Sequence, residues 1–219
     1  MEPTWLTVLA WIYLAICFGC AAVIVYDIFV NGRRQPMGVM NAVFPITALY
    51  FGPLALAFYW RWGRADLGKK PWWAMMATEV CHCGSGCVVG DVISEFAIFA
   101  LALTIAGSTL AAEYVGDYVL ALAFGIVFQY FAIAPMRGLG LKDGLKAAAK
   151  ADFISLTFFE VGLFGWMAIM TLVLFPAPHN LAPSSASFWL LMQTGMIVGY
   201  ATSWPANVWL VSRGIKVPM

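Results

Sequence analysis

Residues 79–95 read E-V-C-H-C-G-S-G-C-V-V-G-D-V-I-S-E, and long apolar runs lie on both sides of this stretch. It contains three of the five cysteines, one of the two histidines and three carboxylates. Groups this polar are costly to place in lipid, so a cluster of them within an apolar sequence indicates function. The stretch therefore predicts a functional site inside a membrane protein.

The composition of the whole chain agrees with a lipid environment. Of the 219 residues, 63% are hydrophobic and only 11% are charged, whereas soluble domains carry about 25% charged residues. We therefore expect an all-α integral membrane protein that forms a single polytopic domain over residues 1–219. A net charge of +1 argues against a nucleic-acid partner, which would require a basic face.

Six stretches are long and apolar enough to cross a bilayer, since a crossing helix needs about 20 residues. They are 5–30, 37–60, 84–111, 118–135, 153–175 and 187–211. The second stretch contains Asn41, Pro45, Gly52 and Pro53, which interrupt a helix. An alternative therefore has five spans and a re-entrant hairpin at 37–60, in which irregular backbone is covered by protein.

The basic residues predict the orientation, because cytoplasmic loops are enriched in Lys and Arg. With six spans, ten of the twelve basic residues fall on one face, in segments 61–70, 137–150 and 213–216. We expect these loops and both termini to be cytoplasmic. Arg33 and Arg34 fall on the opposite face if 37–60 crosses the membrane.

The run from residue 72 to residue 111 is about twice as long as one bilayer crossing requires. We expect a short interfacial helix near 72–83 that carries Trp72 and Trp73, since tryptophan favours the membrane surface. Gly84 and Gly86 would bend the chain after it. This bend would place Cys81 and Cys87 at the cytoplasmic end of the third span.

Thiol and imidazole ligands are concentrated in seven residues, at Cys81, His82, Cys83 and Cys87. Such soft ligands select copper(I), zinc or an iron–sulfur cluster over magnesium or calcium. The spacing C-x-C-x3-C is not a common zinc-finger spacing. The alternative is that the cysteines act as small hydrophobic side chains in a tight bend.

Carboxylates continue the polar sequence into the apolar region. Asp91 and Glu95 are four residues apart and share one helical face, and Glu160 would lie at a similar depth in the fifth span. Buried acids pair with each other, share a proton or bind a cation. We expect these three residues to form an ion path or to compensate charge, and a protonated hydrogen bond between helices is the alternative.

Further sulfur atoms occur at helical spacing in other spans. They could relay a soft metal ion, but small residues and methionines also pack helices together, and packing is the preferred interpretation. These residues are Cys17, Cys20, Met167, Met170, Met192 and Met196.

Several longer motifs resemble one family. They are C-H-C-G-S-G-C at 81–87, Y-F-A-I-A-P-M-R-G-L at 130–139, K-A-D-F-I-S-L-T-F-F-E-V-G-L-F-G-W-M at 150–167 and M-Q-T-G-M-I-V-G-Y-A-T-S-W-P-A-N at 192–207. The chain resembles, from its third span to its C-terminus, the prokaryotic membrane family called domain of unknown function 4396. The resemblance implies a polytopic protein of a prokaryotic inner or plasma membrane, and a copper-related label on some members favours the same metal as the ligands do.

These features predict a membrane protein that binds a soft metal ion, copper(I), and transports, buffers or delivers it. Cys81, His82, Cys83 and Cys87 would capture the ion, with the bilayer and the metal ion as partners. A zinc or iron–sulfur site and a homo-oligomer are left open.

Two other classes are retained. One is an enzyme, either a membrane thiol oxidoreductase or a metal- or haem-dependent oxidase. Cys83 and Cys87 would have to lie close together for thiol exchange. The other is a small-ion transporter or accessory subunit in which the cysteines are structural.

Overall fold

The computed structural model describes residues 2–216, except for the side chains of Met136 and Arg137. Within this range the chain forms a helical bundle. Its helices are α1 (Thr4–Phe29), α2 (Met40–Phe51), α3 (Pro53–Phe58), α4 (Trp72–Leu101), α5 (Thr109–Arg137), α6 (Leu141–Ile169) and α7 (Ala186–Ser212). A π-helical turn follows α3 at Tyr59–Gly63, and another follows α6 at Met170–Leu174.

Four helical segments in the described range are long and apolar enough to cross a membrane. They are Thr4–Phe29, Trp72–Leu101, Thr109–Pro135 and Leu141–Leu174. Their exposed surface is rich in large apolar side chains, such as Trp11 and Phe18 on α1 and Phe158 on α6. This architecture is consistent with an integral membrane protein, as the composition predicts. α7 has 27 residues but is not one of these four.

The segment 37–60 is broken rather than continuous. α2 ends at Gly52, whose φ of 53° lies in the left-handed region, and α3 begins at Pro53, which cannot donate a backbone hydrogen bond. Gly52 packs beside Cys17 of α1, and the Tyr13 hydroxyl donates to the Tyr50 carbonyl at 3.1 Å. The break is therefore covered by α1.

The two ends of this broken segment meet. Gln35 Nε2 donates to the Gly63 carbonyl at 2.9 Å, and Arg64 binds Asp27, near the end of α1, at 3.0 Å. Gly52 lies beside Cys17 in the middle of α1. Asp27 follows Cys17 by ten residues, which corresponds to about 15 Å along the helix at about 1.5 Å per residue. Segment 37–60 thus enters the bundle and returns to the same end of it.

α4 runs unbroken from Trp72 to Leu101, so the predicted interfacial helix at 72–83 and the bend after it are wrong. Gly84 and Gly86 serve close helix contacts instead of a bend. A Cβ on Gly86 would lie 2.7 Å from the Cα of Gly125 on α5. The helix ends where Ala102 adopts a left-handed conformation with φ 49°, which divides the apolar run after 30 residues.

α5 begins nine residues earlier than the apolar pattern predicts. The Ser108 hydroxyl accepts a hydrogen bond from the backbone N–H of Ala111 at 3.2 Å and caps the helix at Thr109. Serine favours this position because its oxygen satisfies a free N–H group of the first turn. As a result, Asp117 lies two turns inside α5 rather than in a loop.

Substitution of Gly90 tests the close contact between α4 and α5. A Cβ at Gly90 would lie 2.4 Å from the backbone nitrogen of Ala121, so Gly90→Ala should separate the helices and destabilise the fold by about 1–3 kcal/mol. Gly19→Ala is the matched control, because nothing lies within 4 Å of its Cβ position. Thermal unfolding in detergent measures both, and equal melting temperatures would contradict the contact.

Candidate functional site

Five polar residues of α4 follow each other at intervals of four. They are Glu79, Cys83, Cys87, Asp91 and Glu95, and all five are buried. Residues four apart lie about 40° from each other around a helix of 3.6 residues per turn, so the five form a stripe that winds around α4, here called the polar ladder. Its first and last residues are sixteen positions apart, which corresponds to about 24 Å at about 1.5 Å per residue, most of the thickness of a bilayer core.

The remaining ligands of the predicted metal cluster face elsewhere, because neighbouring helical residues point about 100° apart. Cys81 packs in a core with Cys20 and the hairpin residue Phe44. The His82 ring faces Phe128 of α5, with ring centres 6.3 Å apart. The structure therefore divides Cys81, His82 and Cys83 among three surroundings. No group of three His, Cys, Asp or Glu side chains in the described residues has the geometry of a metal site.

Cys83 meets an unexpected partner, the ammonium of Lys216. Lys216 Nζ lies 2.7 Å from Cys83 Sγ, 2.9 Å from Ser155 Oγ and 3.0 Å from Asn207 Oδ1. The carboxylates of Glu79 and Asp152 follow at 3.3 and 3.6 Å. These five side chains, which come from α4, α6 and α7, are called the lysine site.

The turn after α7 brings Lys216 inside the bundle. Gly214 has φ 68°, a left-handed conformation that favours glycine and commonly ends helices. The backbone N–H of Ile215 then donates to the Leu210 carbonyl at 3.0 Å. This reversal directs the side chain of Lys216 back beneath the last turns of α7, where it is fully buried.

The lysine site contains more acceptors than one ammonium uses. An ammonium donates three hydrogen bonds, and Cys83, Ser155 and Asn207 accept them. Burial alone would lower the pKa of Lys216, but Cys83, Glu79 and Asp152 raise it above its usual value, so the ammonium stays charged. Two carboxylates thus face one positive charge, and Glu79 Oε2 and Asp152 Oδ2 have no hydrogen-bond partner among the described residues.

Four further carboxylates lie deeper in the bundle, at Asp91, Glu95, Asp117 and Glu160, here called the carboxylate cluster. Asp91 is within electrostatic range of the other three, and Cys87 neighbours Glu160 and Asp91. All four are buried, and none of their oxygens has a hydrogen-bond partner in the described part of the chain. Such groups must hold protons or attract a cation.

A cavity of about 450 Å³, here called the outer cavity, lies at the end of α4 far from the lysine site. It is lined by the start of α5, the end of α6 and the loop before α7, and Glu113 is among its lining residues. Glu113 is within electrostatic range of both Glu95 and Asp117. The cavity therefore brings the surface opposite the lysine site close to the carboxylate cluster.

The residues of the lysine site and of the carboxylate cluster all lie within a range that matches a known protein family. The model of the family described as domain of unknown function 4396 matches residues 72–216, from the first residue of α4 to Lys216. The chain belongs to the domain of unknown function 4396 family. Neither a curated protein nor a solved structure matched the chain.

In this member of the domain of unknown function 4396 family, the cysteines and methionines that the sequence predicts as a relay lie outside the polar ladder. Cys17 packs against the break at Gly52, and Cys20 lies in the core between α1 and the hairpin. The four methionines share one hydrophobic core with Cys87, and Met170 also lines the outer cavity. Those methionines are Met167, Met170, Met192 and Met196. Their surroundings are those of packing residues.

Six residues of the site are absent from the sequence-based prediction, and they are Glu79, Asp117, Asp152, Ser155, Asn207 and Lys216. Glu79 has a sequence signal, because it extends the interval of four from Cys83 by one step. Asp117 falls outside the predicted span because the apolar pattern begins at 118. Lys216 carries no sequence signal for burial, since a basic residue near a C-terminus is typical of a cytoplasmic tail.

Two substitutions distinguish a carboxylate without a partner from a paired charge. Asp91→Asn should raise stability on the order of 1 kcal/mol, because the amide has no charge to neutralise. Lys216→Ala should lower it by about 3 kcal/mol, because two carboxylates lose their partner. Lys146→Ala, at an exposed position, is the control. Thermal unfolding in detergent measures all three, and a destabilised Asp91→Asn protein would show that Asp91 has a partner.

Proposed function

We propose that this protein binds a cation and carries it through the membrane along the polar ladder. The observation that carries the proposal is the buried file of Glu79, Cys83, Cys87, Asp91 and Glu95 on one helix. A file of this length has no structural need for its charges, because apolar residues would pack the same bundle at lower cost. Because these buried polar residues continue through the bundle, they favour a path for ions.

The second support is the arrangement of charge along that path. The sulfur and carboxylate donors of α4 lie beside the acids of α5 and α6. A cation would therefore meet a new acidic group at each turn of α4. The lysine site lies at one end and the outer cavity lies at the other. We propose that the carboxylate cluster also holds the protons that move in the opposite direction when the cation passes.

We further propose a topology of five spans, formed by α1, α4, α5, α6 and α7, with 37–60 as a re-entrant hairpin. The contacts between the ends of the hairpin support it. All twelve basic residues then fall on one face, including Arg33 and Arg34, and this face would be cytoplasmic. The N-terminus would lie on the opposite face, which differs from the predicted six-span arrangement.

The rival enzyme class receives less support. Cys83 and Cys87 lie on one continuous helix, where residues four apart have Cβ atoms about 5–6 Å apart, while a disulfide needs about 3.5–4.5 Å. All five cysteines are free thiols in the structure. Thiol exchange between this pair would therefore require α4 to unwind.

Transport by the carboxylate cluster can be measured in proteoliposomes. Zn²⁺ or copper(I) uptake is followed by metal analysis, and proton movement is followed with a pH-sensitive dye inside the vesicles. Asp91→Asn and Glu160→Gln should each reduce ion flux at least tenfold, because a neutral amide neither binds a cation nor carries a proton.

Asp143→Asn is the matched control, since Asp143 is exposed on α6 and its substitution should leave flux unchanged. Asp91→Asn is expected to fold at least as stably as the parent, so lost flux cannot be ascribed to unfolding. Full flux in both cluster variants would refute the proposed path.

Copper(I), the metal that the sequence predicts, is one candidate for the cargo. The supporting observation is that Cys83 and Cys87 share one face of α4 and are one turn apart. Thiolates select copper(I) over harder ions, and two on one face can share one ion.

After anaerobic loading with copper(I), the parent should retain metal, while Cys83→Ser and Cys87→Ser should each lose at least half of it. Cys17→Ser is the control, because Cys17 packs against the hairpin and not on the ladder. Metal analysis of the detergent-purified proteins gives the readout. Equal copper content in all four proteins would exclude a thiol-bound cargo.

A further inference from the structure

The lysine site surrounds its ammonium as a binding site surrounds a cation. Five acceptors from three separate helices converge within 3.6 Å of one nitrogen atom. The side chains are held in place by other contacts: Asn207 Nδ2 donates to Ser203 Oγ at 2.9 Å, which leaves Asn207 Oδ1 directed at Lys216. The helices thus form the site, and the side chain of Lys216 occupies it.

The site offers more acceptor oxygens than Lys216 uses. Glu79 and Asp152 supply two carboxyl groups against one ammonium, and one oxygen of each carboxyl group lacks a partner among the described residues. A divalent cation would balance both carboxylates and would use the two remaining oxygens as ligands. The ammonium is therefore an incomplete match for the donors around it.

The types of donor atom limit which cations can bind at the lysine site. One sulfur among several oxygens is unsuited to magnesium or calcium, which take oxygen ligands alone. It is equally unsuited to copper(I), which favours sets of soft sulfur donors. Zinc binds cysteine sulfur and carboxylate oxygen together in sites of four ligands. A borderline divalent metal of the zinc type fits this set best.

We propose that the lysine site is a binding site for a divalent metal ion of the zinc type, which the ammonium of Lys216 occupies in the metal-free protein. Zinc ligands lie about 2.0–2.3 Å from the ion, whereas the donors lie 2.7–3.6 Å from Nζ. The side chains therefore close by about 1 Å when the metal replaces the ammonium. No group of three His, Cys, Asp or Glu side chains in the described residues has metal-site geometry as it stands, so metal binding requires this closure.

Residues 213–216, which carry Lys216, can move out of the bundle without unfolding a helix. α7 ends at Ser212, and the residues after it are held by the Gly214 turn and by two hydrogen bonds to the Leu210 carbonyl, at 3.0 and 3.4 Å. Metal and ammonium compete for the same carboxylates, so metal binding releases Lys216. The lysine then acts as a tethered competitor that keeps the site occupied until a metal ion of sufficient affinity arrives.

The inference rests on the proposed function for its physiological role, because the lysine site is the basic end of the polar ladder. Binding and transport can nevertheless be measured separately. The test uses the full chain in detergent, with Zn²⁺ alone as the probe and Lys146→Ala as the control for removal of an exposed lysine.

Lys216→Ala should bind one more equivalent of Zn²⁺ than the parent and Lys146→Ala, or bind it at least tenfold more tightly. Zn²⁺ should also recover the melting temperature that Lys216→Ala loses. Adding Asp152→Asn to Lys216→Ala should abolish both effects. A folded Lys216→Ala protein with no gain in Zn²⁺ binding would overturn the proposal, and so would a gain that survives Asp152→Asn.

A measurement on the parent protein decides the question if Lys216→Ala fails to fold. A protease that cuts only after lysine should cleave after Lys216 at least threefold faster with saturating Zn²⁺ than with Mg²⁺. Cleavage after the exposed Lys146 should stay unchanged, and mass spectrometry separates the products. Equal rates after Lys216 would overturn the proposal.

The two proposals fail in different ways. A Zn²⁺ gain in Lys216→Ala without ladder-dependent flux would uphold the metal site and reject transport. Flux that depends on Asp91 and Glu160, with no gain in Zn²⁺ binding, would uphold transport and reject the lysine as a metal competitor.

Discussion

Charges inside an apolar helix bundle must be neutralised, and the way this protein meets that requirement organises its second half. Glu79 and Asp152 lie on separate helices and would repel each other without a cation between them. The ammonium of Lys216 lies 3.3 and 3.6 Å from their oxygens and joins α4 to α6. Because Asn207 also binds this ammonium, α7 is drawn to the same point.

The deeper carboxylates have no comparable cation within the described residues. Asp91, Glu95, Asp117 and Glu160 lie where water does not reach, and they neighbour one another rather than a basic side chain. The contrast between the end that holds the Lys216 ammonium and the acidic middle gives the polar ladder a direction. A cation that displaces Lys216 would find further carboxyl groups ahead of it, with the outer cavity beyond them.

Close helix packing makes this polarity possible. Gly86 and Gly90 bring α4 against the backbone of α5, which leaves no room for water or lipid between the two helices. Small residues permit such contact in membrane helices, where packing rather than the hydrophobic effect holds helices together. Gly86, which the sequence pattern assigns to a bend, therefore closes one side of the ladder together with Gly90.

The sequence correctly predicted a helical, membrane-type chain of this family, and it identified Cys83, Cys87, Asp91, Glu95 and Glu160 as candidate site residues. It was wrong about the interfacial helix at 72–83, because glycine spacing has the same signature in a bend and in a close helix contact. It also grouped Cys81 and His82 with Cys83, since proximity in sequence does not reveal which helix face a side chain occupies. The alternative of a hairpin at 37–60 is supported by contacts between residues 28 positions apart, such as Gln35 and Gly63.

Composition and local spacing by themselves determined the lipid-type surface, the helices and the interval of four along α4, because these depend on neighbours within the chain. Only the tertiary structure decided that Lys216 enters the bundle and that Asp117 joins the carboxylates. Both depend on contacts between distant helices, and the pairing of Lys216 with Cys83 spans 133 residues. The energy of a buried charge is set by what surrounds it in space, and a linear pattern does not contain that information.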